Sequence, residues 1–373
     1  MRSQASRLRR PAVAGLWCVL LLGCAAPQPT TSPSPVPPGT TTPTASPTPS
    51  SPAPSGPGEP RVLAGRLDVP WDLAPLEDGS VLLTLRDRAQ VLLLEPGREP
   101  SVVATIDEVV AAAEGGLLGI ALSPGFADDR LVYLYYTAAD DNRIVRYRYD
   151  DGGLSDPEVV LDGIPKANNH NGGRLRFGPD GRLYIGTGDA GQEGTSQDTG
   201  SLGGKILRVT ADGGVPADNP FGNEVWSYGH RNVQGLGWDA DGRMFASEFG
   251  QSSWDELNLI TPGANYGWPE AEGESDDPDF TNPLLTWPTA DASPSGIAVT
   301  PDGTVLVAGL RGERLWLSRW DGKGMTEPEV YFDGEGRLRA VELVGDELWV
   351  LTNNTWRGDP RPDDDRLLAI QAP

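Results

Sequence analysis

Histidine is rare in this chain: its 373 residues contain two, His170 and His230. His170 stands in the stretch NNHNGGRL (168–175), a polar, glycine-rich loop directly ahead of a strand hairpin. An imidazole with an ordinary pKa of about 6.5 takes a proton near neutral pH, so His170 is a candidate general base. A loop histidine satisfied by backbone hydrogen bonds is the plainer alternative. Metal ligation by the two histidines is less well supported, because no third ligand stands at the spacing such a site needs. Arginine offers the second chemistry. The chain carries −23, of which residues 1–24 contribute +4 and Glu59 −1, leaving −26 for residues 61–373. In so acidic a domain one arginine is expected to pair with a neighbouring carboxylate. Several converging at one place, Arg231, Arg311, Arg337 and Arg339, would instead hold an anion, since guanidinium is a rigid bidentate donor to carboxylate or phosphate. The same charge makes nucleic acid a poor partner.

The elements that position these residues repeat along the chain. The skeleton is an apolar strand, a turn rich in Pro, Asp and Gly, a second apolar strand, a polar loop and a third short strand. RLRFGPDGRLYIGTGD followed by GKILRVT is one copy, and GIAVTPDGTVLVAGLR followed by RLWLSRW is another. Copies recur six times at spacings of roughly 45 to 60 residues, which is the size of a four-stranded blade. An all-β, six-bladed β-propeller of antiparallel blades is therefore expected, with a sandwich pair as the rival architecture. The stretch IDEVVAAAEGG (106–116) reads as a helical turn or two within a loop.

A propeller sorts residues onto faces before any function is assigned. Each hairpin turn lies at one end of the channel, so residues entering first strands and leaving second strands share the other end. That places Glu114, both histidines, Arg231, Asn232, Arg311, Arg337 and Arg339 at one mouth, with Arg86, Asp189, Glu248 and Asn353. Asp189 returns to that mouth 19 residues after His170 and is the expected orienter of its ring.

The amino terminus is organised differently. Residues 1–24 carry four arginines, a short apolar run and the ending Leu-Leu-Gly-Cys, the layout of a lipoprotein signal with Cys24 as lipidation site. Cys18 would leave with the signal, so no disulfide within the mature chain is expected. Residues 25–60 contain 13 prolines among Thr, Ser, Ala and Gly; such a segment buries too little to offset its ordering entropy and reads as a disordered stalk. Residues 61–373 then form the folded domain, extracytoplasmic and tethered to the membrane by lipid alone.

Several motifs in order resemble the PQQ-dependent sugar dehydrogenases of the glucose/sorbosone dehydrogenase family: EGGLLGIA from Glu114, HNGGRL from His170, GGKILR from Gly203, WSYGHRNVQG from Trp226, DELN from Asp255, NYGWP from Asn265 and GRLR from Gly336. The resemblance runs from about Pro70 to the C-terminus. It implies that His170 is the base that removes a sugar hydroxyl proton as hydride passes to the quinone. It also implies that Arg231 and Asn232 contact PQQ, that Arg337 and Arg339 bind its carboxylates, and that Arg311 stands where the family has Lys or Arg. Glu114 stands where the best-known members have Gln at the cofactor. Calcium sites are implied at Gly250–Gln251 and at carbonyls near Glu256 and Tyr266, and Gln251 replaces the usual Pro. The residues themselves also allow calcium in 248–269, a stretch rich in turns whose carbonyls suit a hard cation, or simply a blade turn with a packed Trp. The segment after NYGWP is short and acidic, so the choice of sugar does not carry over. The expected activity is oxidation of an aldose or related sugar, with electrons passed to an external acceptor. The alternatives are a non-catalytic propeller binding a glycan or a protein, and a calcium-dependent lactonase drawing on Glu114, Asp189 and Glu248.

Overall fold

The computed structural model describes residues 56–150 and 152–373. The expected signal, Cys24 and nearly all of the stalk lie outside the described residues. Six four-stranded antiparallel sheets follow one another along the chain, and each is ordered from its first strand outward. Their innermost strands are Pro70–Pro75, Leu117–Leu122, Leu175–Phe177, Val233–Trp238, Pro294–Val299 and Leu338–Val344. Each innermost strand packs against the innermost strands of its two neighbours, and the sixth meets the first. The ring is closed within the last blade, where Arg61–Ala64 pairs antiparallel with Leu367–Gln371. This is the expected six-bladed propeller, with a fourth, outer strand added to each repeated unit.

Packing follows from the strand patterns. Val81–Leu85 and Thr304–Gly309 are buried along their whole length, as expected for strands covered on both faces by neighbouring blades. Aromatic and branched side chains fill the gaps between blades. In one such layer Tyr133, Tyr135 and Ile144 of the second blade meet Leu183, Ile185 and Leu207 of the third.

The innermost strands are also irregular where it matters for the site. In five blades the pairing of first and second strand slips near the start of the innermost strand, at Pro70/Leu73, Leu117/Ile120, Val233/Gly235, Pro294/Ile297 and Leu338/Ala340. Such bulges break the strict alternation of side chains and re-aim the residue between. They free Trp71, Gln234, Ser295 and Arg339 for the channel, where Arg339 Nη1 donates to Gln234 Oε1 at 2.8 Å and Ser295 Oγ donates to the same oxygen at 3.0 Å.

Residues 106–116 are not helical. Val110 N–H donates to the Thr137 carbonyl at 2.9 Å and Glu114 N–H to that of Asn168 at 3.0 Å. The segment thus spends its backbone donors on neighbouring loops, leaving turns and one bridge between Ala112 and Gly115.

Candidate active site

A cavity of about 320 Å³ opens at the predicted mouth, lined by residues of several blades including Trp71, Arg86, Glu114, Gln234, Phe249, Ser293, Arg311, Arg337, Arg339, Trp356 and Arg357. Five of its side chains are guanidinium groups and one, Glu114, is a carboxylate. Arg339 is almost fully buried and Arg86 more so. Burial, then repulsion from Arg86, Arg337 and Arg174, holds the Arg339 pKa well below the usual arginine range; burial likewise lowers that of Arg337. Desolvated cations crowded together are costly unless something anionic balances them. The protein balances part of this charge: Arg86 Nε pairs with Asp87 Oδ1 at 2.7 Å and Arg357 with Glu114 at 3.2 Å, whereas Arg337 Nη1 donates to the Leu310 carbonyl at 3.2 Å and Arg311 Nη1 to that of Thr289 at 3.3 Å. Arg86 Nη2, Arg337 Nε and Arg339 Nε are buried with no acceptor among the described residues.

Beside this cavity lies His170, the candidate base. His170 occupies the left-handed region at φ 56°, and its loop is pressed onto the end of the following strand. A Cβ on Gly188 would come 1.9 Å from the His170 carbonyl, so only glycine permits that approach. His170 Nδ1 lies 2.7 Å from Asp189 Oδ1. Asp189 is fully buried and also accepts Gly191 N–H at 2.7 Å and Trp268 Nε1–H at 2.9 Å. Burial alone would raise its pKa; the hydrogen bond from His170, the attraction of that ring when it is protonated, and the other two donors outweigh burial and hold it below the usual carboxylate range. On the other side of the ring Arg231 Nη2 lies 2.8 Å from His170 Nε2. A guanidinium only donates, so Nε2 accepts and Nδ1 carries the proton toward Asp189. This is the neutral tautomer a general base requires, with its lone pair on Nε2.

Arg231 is itself held. Gln251 Oε1 accepts from its Nε at 3.1 Å and its Nη2 at 2.5 Å, the Phe249 carbonyl accepts from Nη1 at 3.1 Å, and Trp268 lies under the guanidinium at 5.4 Å. Glu114 joins the two parts of the site, since it lines the cavity and its Oε2 accepts His170 N–H at 3.2 Å. Asn232 sits behind the loop: its Oδ1 accepts Gly172 N–H at 3.0 Å, and its Nδ2 is buried without a partner.

The expectation that both histidines face the mouth fails for His230. It is fully buried, bonded through Nδ1 to Glu248 at 2.7 Å and through Nε2 to Ser227 Oγ at 2.8 Å, with its ring 4.6 Å from that of Tyr266. Glu248, one strand over, reaches across to claim it and Arg231 N–H together. Trp356 and Arg357 were not anticipated. Asn353 and Asn354, which leave the second strand of the last blade at this mouth, were the signal that could have pointed to the loop they begin.

The residues expected at calcium do not share one point by their side chains. The Tyr266 hydroxyl donates to the Leu259 carbonyl at 2.6 Å and accepts Thr261 N–H at 2.9 Å. Glu256 accepts Gly273 N–H at 2.7 Å and Asn258 Nδ2–H at 3.0 Å, and burial with the neighbouring Glu248 pushes its pKa up to about 8. The N–H groups of Gln251, Ser252, Ser253 and Trp254 converge on Glu272 Oε1 at 2.6 to 3.2 Å, and Gly250 N–H donates to Asp255 at 2.9 Å. Among the described residues no group of three or more His, Cys, Asp or Glu side chains is placed to hold a metal. Glu114, Asp189 and Glu248 are committed to separate partners, which removes the carboxylate cage that a lactonase would need.

The solved PQQ-bound form of an aldose sugar dehydrogenase from Streptomyces coelicolor is 50% identical to this chain, with a TM-score of 0.81 and coverage of 85% of this chain and 99% of that one. Aldose sugar dehydrogenase YliI of Escherichia coli is 37% identical over 56% of this chain and 61% of its own length. Quinoprotein glucose dehydrogenase B of Acinetobacter calcoaceticus is 32% identical over 72% of this chain and 63% of its own length. The chain thus spans a little under two thirds of these last two relatives. The sequence model of the glucose/sorbosone dehydrogenase family matches residues 67–358, nearly the whole propeller, and the chain belongs to that family.

Proposed function

We propose that this protein is a PQQ-dependent dehydrogenase that oxidises an aldose or related sugar at a hydroxyl-bearing carbon and passes the electrons to an external acceptor. The observation that carries this reading is the set of buried, unpartnered guanidinium N–H groups on Arg86, Arg337 and Arg339 around a single carboxylate. PQQ is a tricarboxylate and supplies acceptors of the missing sign. Arg337 and Arg339 would hold its carboxylates, with Arg86, Arg311 and Glu114 around it, and Arg231 and Asn232 Nδ2 on the side of the base. When bound, the quinone supplies the acceptor for the hydride that leaves the sugar carbon.

The protein's own part is the proton. His170 Nε2 takes it from the sugar hydroxyl, and the ionised, buried Asp189 at Nδ1 balances the imidazolium that forms. Arg231 must yield Nε2 to that hydroxyl. Gln251 Oε1 already accepts from the same guanidinium nitrogen and retains it as it moves. Reconstitution of the purified full chain with PQQ, followed by dye reduction on a panel of sugars, tests the reading.

Calcium belongs to the same proposal. Glu256, raised by burial and by Glu248, is a group that a nearby cation would relieve. Its carboxyl oxygens already accept hydrogen bonds, so an ion would rest on main-chain carbonyls near Glu256 and Tyr266 and at Gly250–Gln251, oxygen ligands that suit a hard cation. The signal and stalk composition support an extracytoplasmic enzyme anchored through Cys24. Labelled palmitate is then expected to be incorporated by the unaltered chain and not by a Cys24→Ser chain, and an unaltered chain that takes up no label would contradict the anchor.

A further inference from the structure

Across the cavity mouth Arg357 Nη1 lies 3.2 Å from Glu114 Oε1. The two residues are 243 positions apart; Arg357 lies in the last loop of the sixth blade and Glu114 in the segment entering the second, so the pair bridges over the first blade, which stands between them in the ring. Arg357 sits on an arm that is built rather than loose. The buried Asp365 carboxylate accepts Asn354 N–H, Thr355 N–H and both threonine hydroxyls of Thr352 and Thr355. Asn354 in turn accepts Arg337 N–H at 2.8 Å and donates to the Glu335 carbonyl at 3.0 Å. A Cβ on Gly358 would lie 2.7 Å from Arg337 Cδ, so the arm is seated directly on an anion-holding arginine. From that base Trp356 covers Arg86, its ring 4.0 Å from the guanidinium carbon, and Arg357 extends to Glu114.

Among the described residues Glu114 is the one carboxylate lining the cavity, and Arg357 is its ion-pair partner. We infer that Arg357 is a further anion-binding residue, kept on Glu114 while the cavity holds no anion and transferred to a carboxylate of the anion when one enters. Glu114 then acts as a built-in competitor that sets how strongly a polyanion is retained. The inference rests on the quinone reading for the identity of the anion. Arg357 is exposed enough to move, with 60% of its side chain accessible. An exposed ion pair has little intrinsic strength, so exchange for a ligand carboxylate is easily driven.

The test is a binding cycle on the purified full chain, titrated with PQQ and followed by calorimetry and by quenching of tryptophan fluorescence. Glu114→Gln keeps an acceptor for His170 N–H while freeing Arg357, and it is expected to tighten PQQ by about threefold or more. The deciding variant is Arg357→Gln placed on that Glu114→Gln background. A loss of about threefold or more shows that Arg357 touches the anion itself; a smaller loss shows that it only neutralises Glu114, which overturns the inference while leaving the quinone reading intact. Absence of saturable binding in both the unaltered chain and the Glu114→Gln chain would overturn the quinone reading and this inference together. Melting temperatures of all variants exclude a loss of fold as the cause.

Discussion

Trp268 donates its indole N–H to Asp189 Oδ2 at 2.9 Å, so the carboxylate bonded to the His170 ring is itself held by a residue that follows the third strand of the fourth blade. The same ring lies under Arg231. One tryptophan thereby fixes both groups that flank His170. Trp268→Phe keeps the aromatic face and removes the donor. A hydrogen bond to a charged group contributes about 1.5–3 kcal/mol, so kcat is expected to fall at least about tenfold with PQQ affinity nearly unchanged. Steady-state kinetics beside a binding titration checks this; equal loss in both would place Trp268 in cofactor binding instead.

Asp189 carries a pH signature. Its folded pKa is lowered, so it contributes stability above the ordinary carboxylate value of about 3.9, and that contribution is lost as pH falls through the folded value. In melting curves from pH 6 to pH 3 the stability advantage over Asp189→Asn is expected to shrink as the acid limb is reached. A gap constant across that range would contradict the assignment. Turnover of Asp189→Asn is expected to drop about 10²- to 10⁴-fold, because the amide no longer enforces the Nδ1–H tautomer.

Arg337 tests the proposed anion site. Arg337→Ala removes one charge-assisted partner, and PQQ binding is expected to weaken about 10- to 100-fold. An unchanged dissociation constant would return Arg337 to a structural role under the arm at Gly358.

Calcium has a separate measurement. Millimolar Ca²⁺ is expected to raise the melting temperature of the full chain above that in chelator by several degrees, since a ligand bound only to the folded state stabilises it by about 2.7 kcal/mol at a hundred times its Kd. Identical melting in both conditions would remove the metal from the proposal.

Much of this fold was legible because each blade repeats an apolar hairpin around a Pro/Asp/Gly turn, as at Gly178–Gly181. The outer strands were not, and for a physical reason. Glu329–Asp333 and the middle of Gly153–Ile164 face solvent at blade edges, so no burial pattern marks them. Arg61–Ala64 is a strand only because the chain's end returns to pair with it. At the site, strand order alone brought Asp189 to His170 and gathered Arg311, Arg337 and Arg339. It could not separate the fates of His170 and His230, because that depends on Glu248 reaching across from the neighbouring strand to one of them. Trp356 and Arg357 were hidden in a long loop between the second and third strands of the last blade, where no strand pattern marks them. The resting contact of Arg231 with His170 is a matter of side-chain direction, which spacing does not encode.

The proposed reaction turns on a proton taken by His170 beside a quinone held by arginines. Its most direct measurement is dye-coupled sugar oxidation by the full chain reconstituted with PQQ and Ca²⁺, run beside a His170→Ala chain whose PQQ affinity is measured in parallel. Saturable PQQ binding is expected in both chains, with turnover in the variant lower by at least about 10²-fold. Turnover that survives His170→Ala, or PQQ that fails to bind at micromolar concentration, would contradict it.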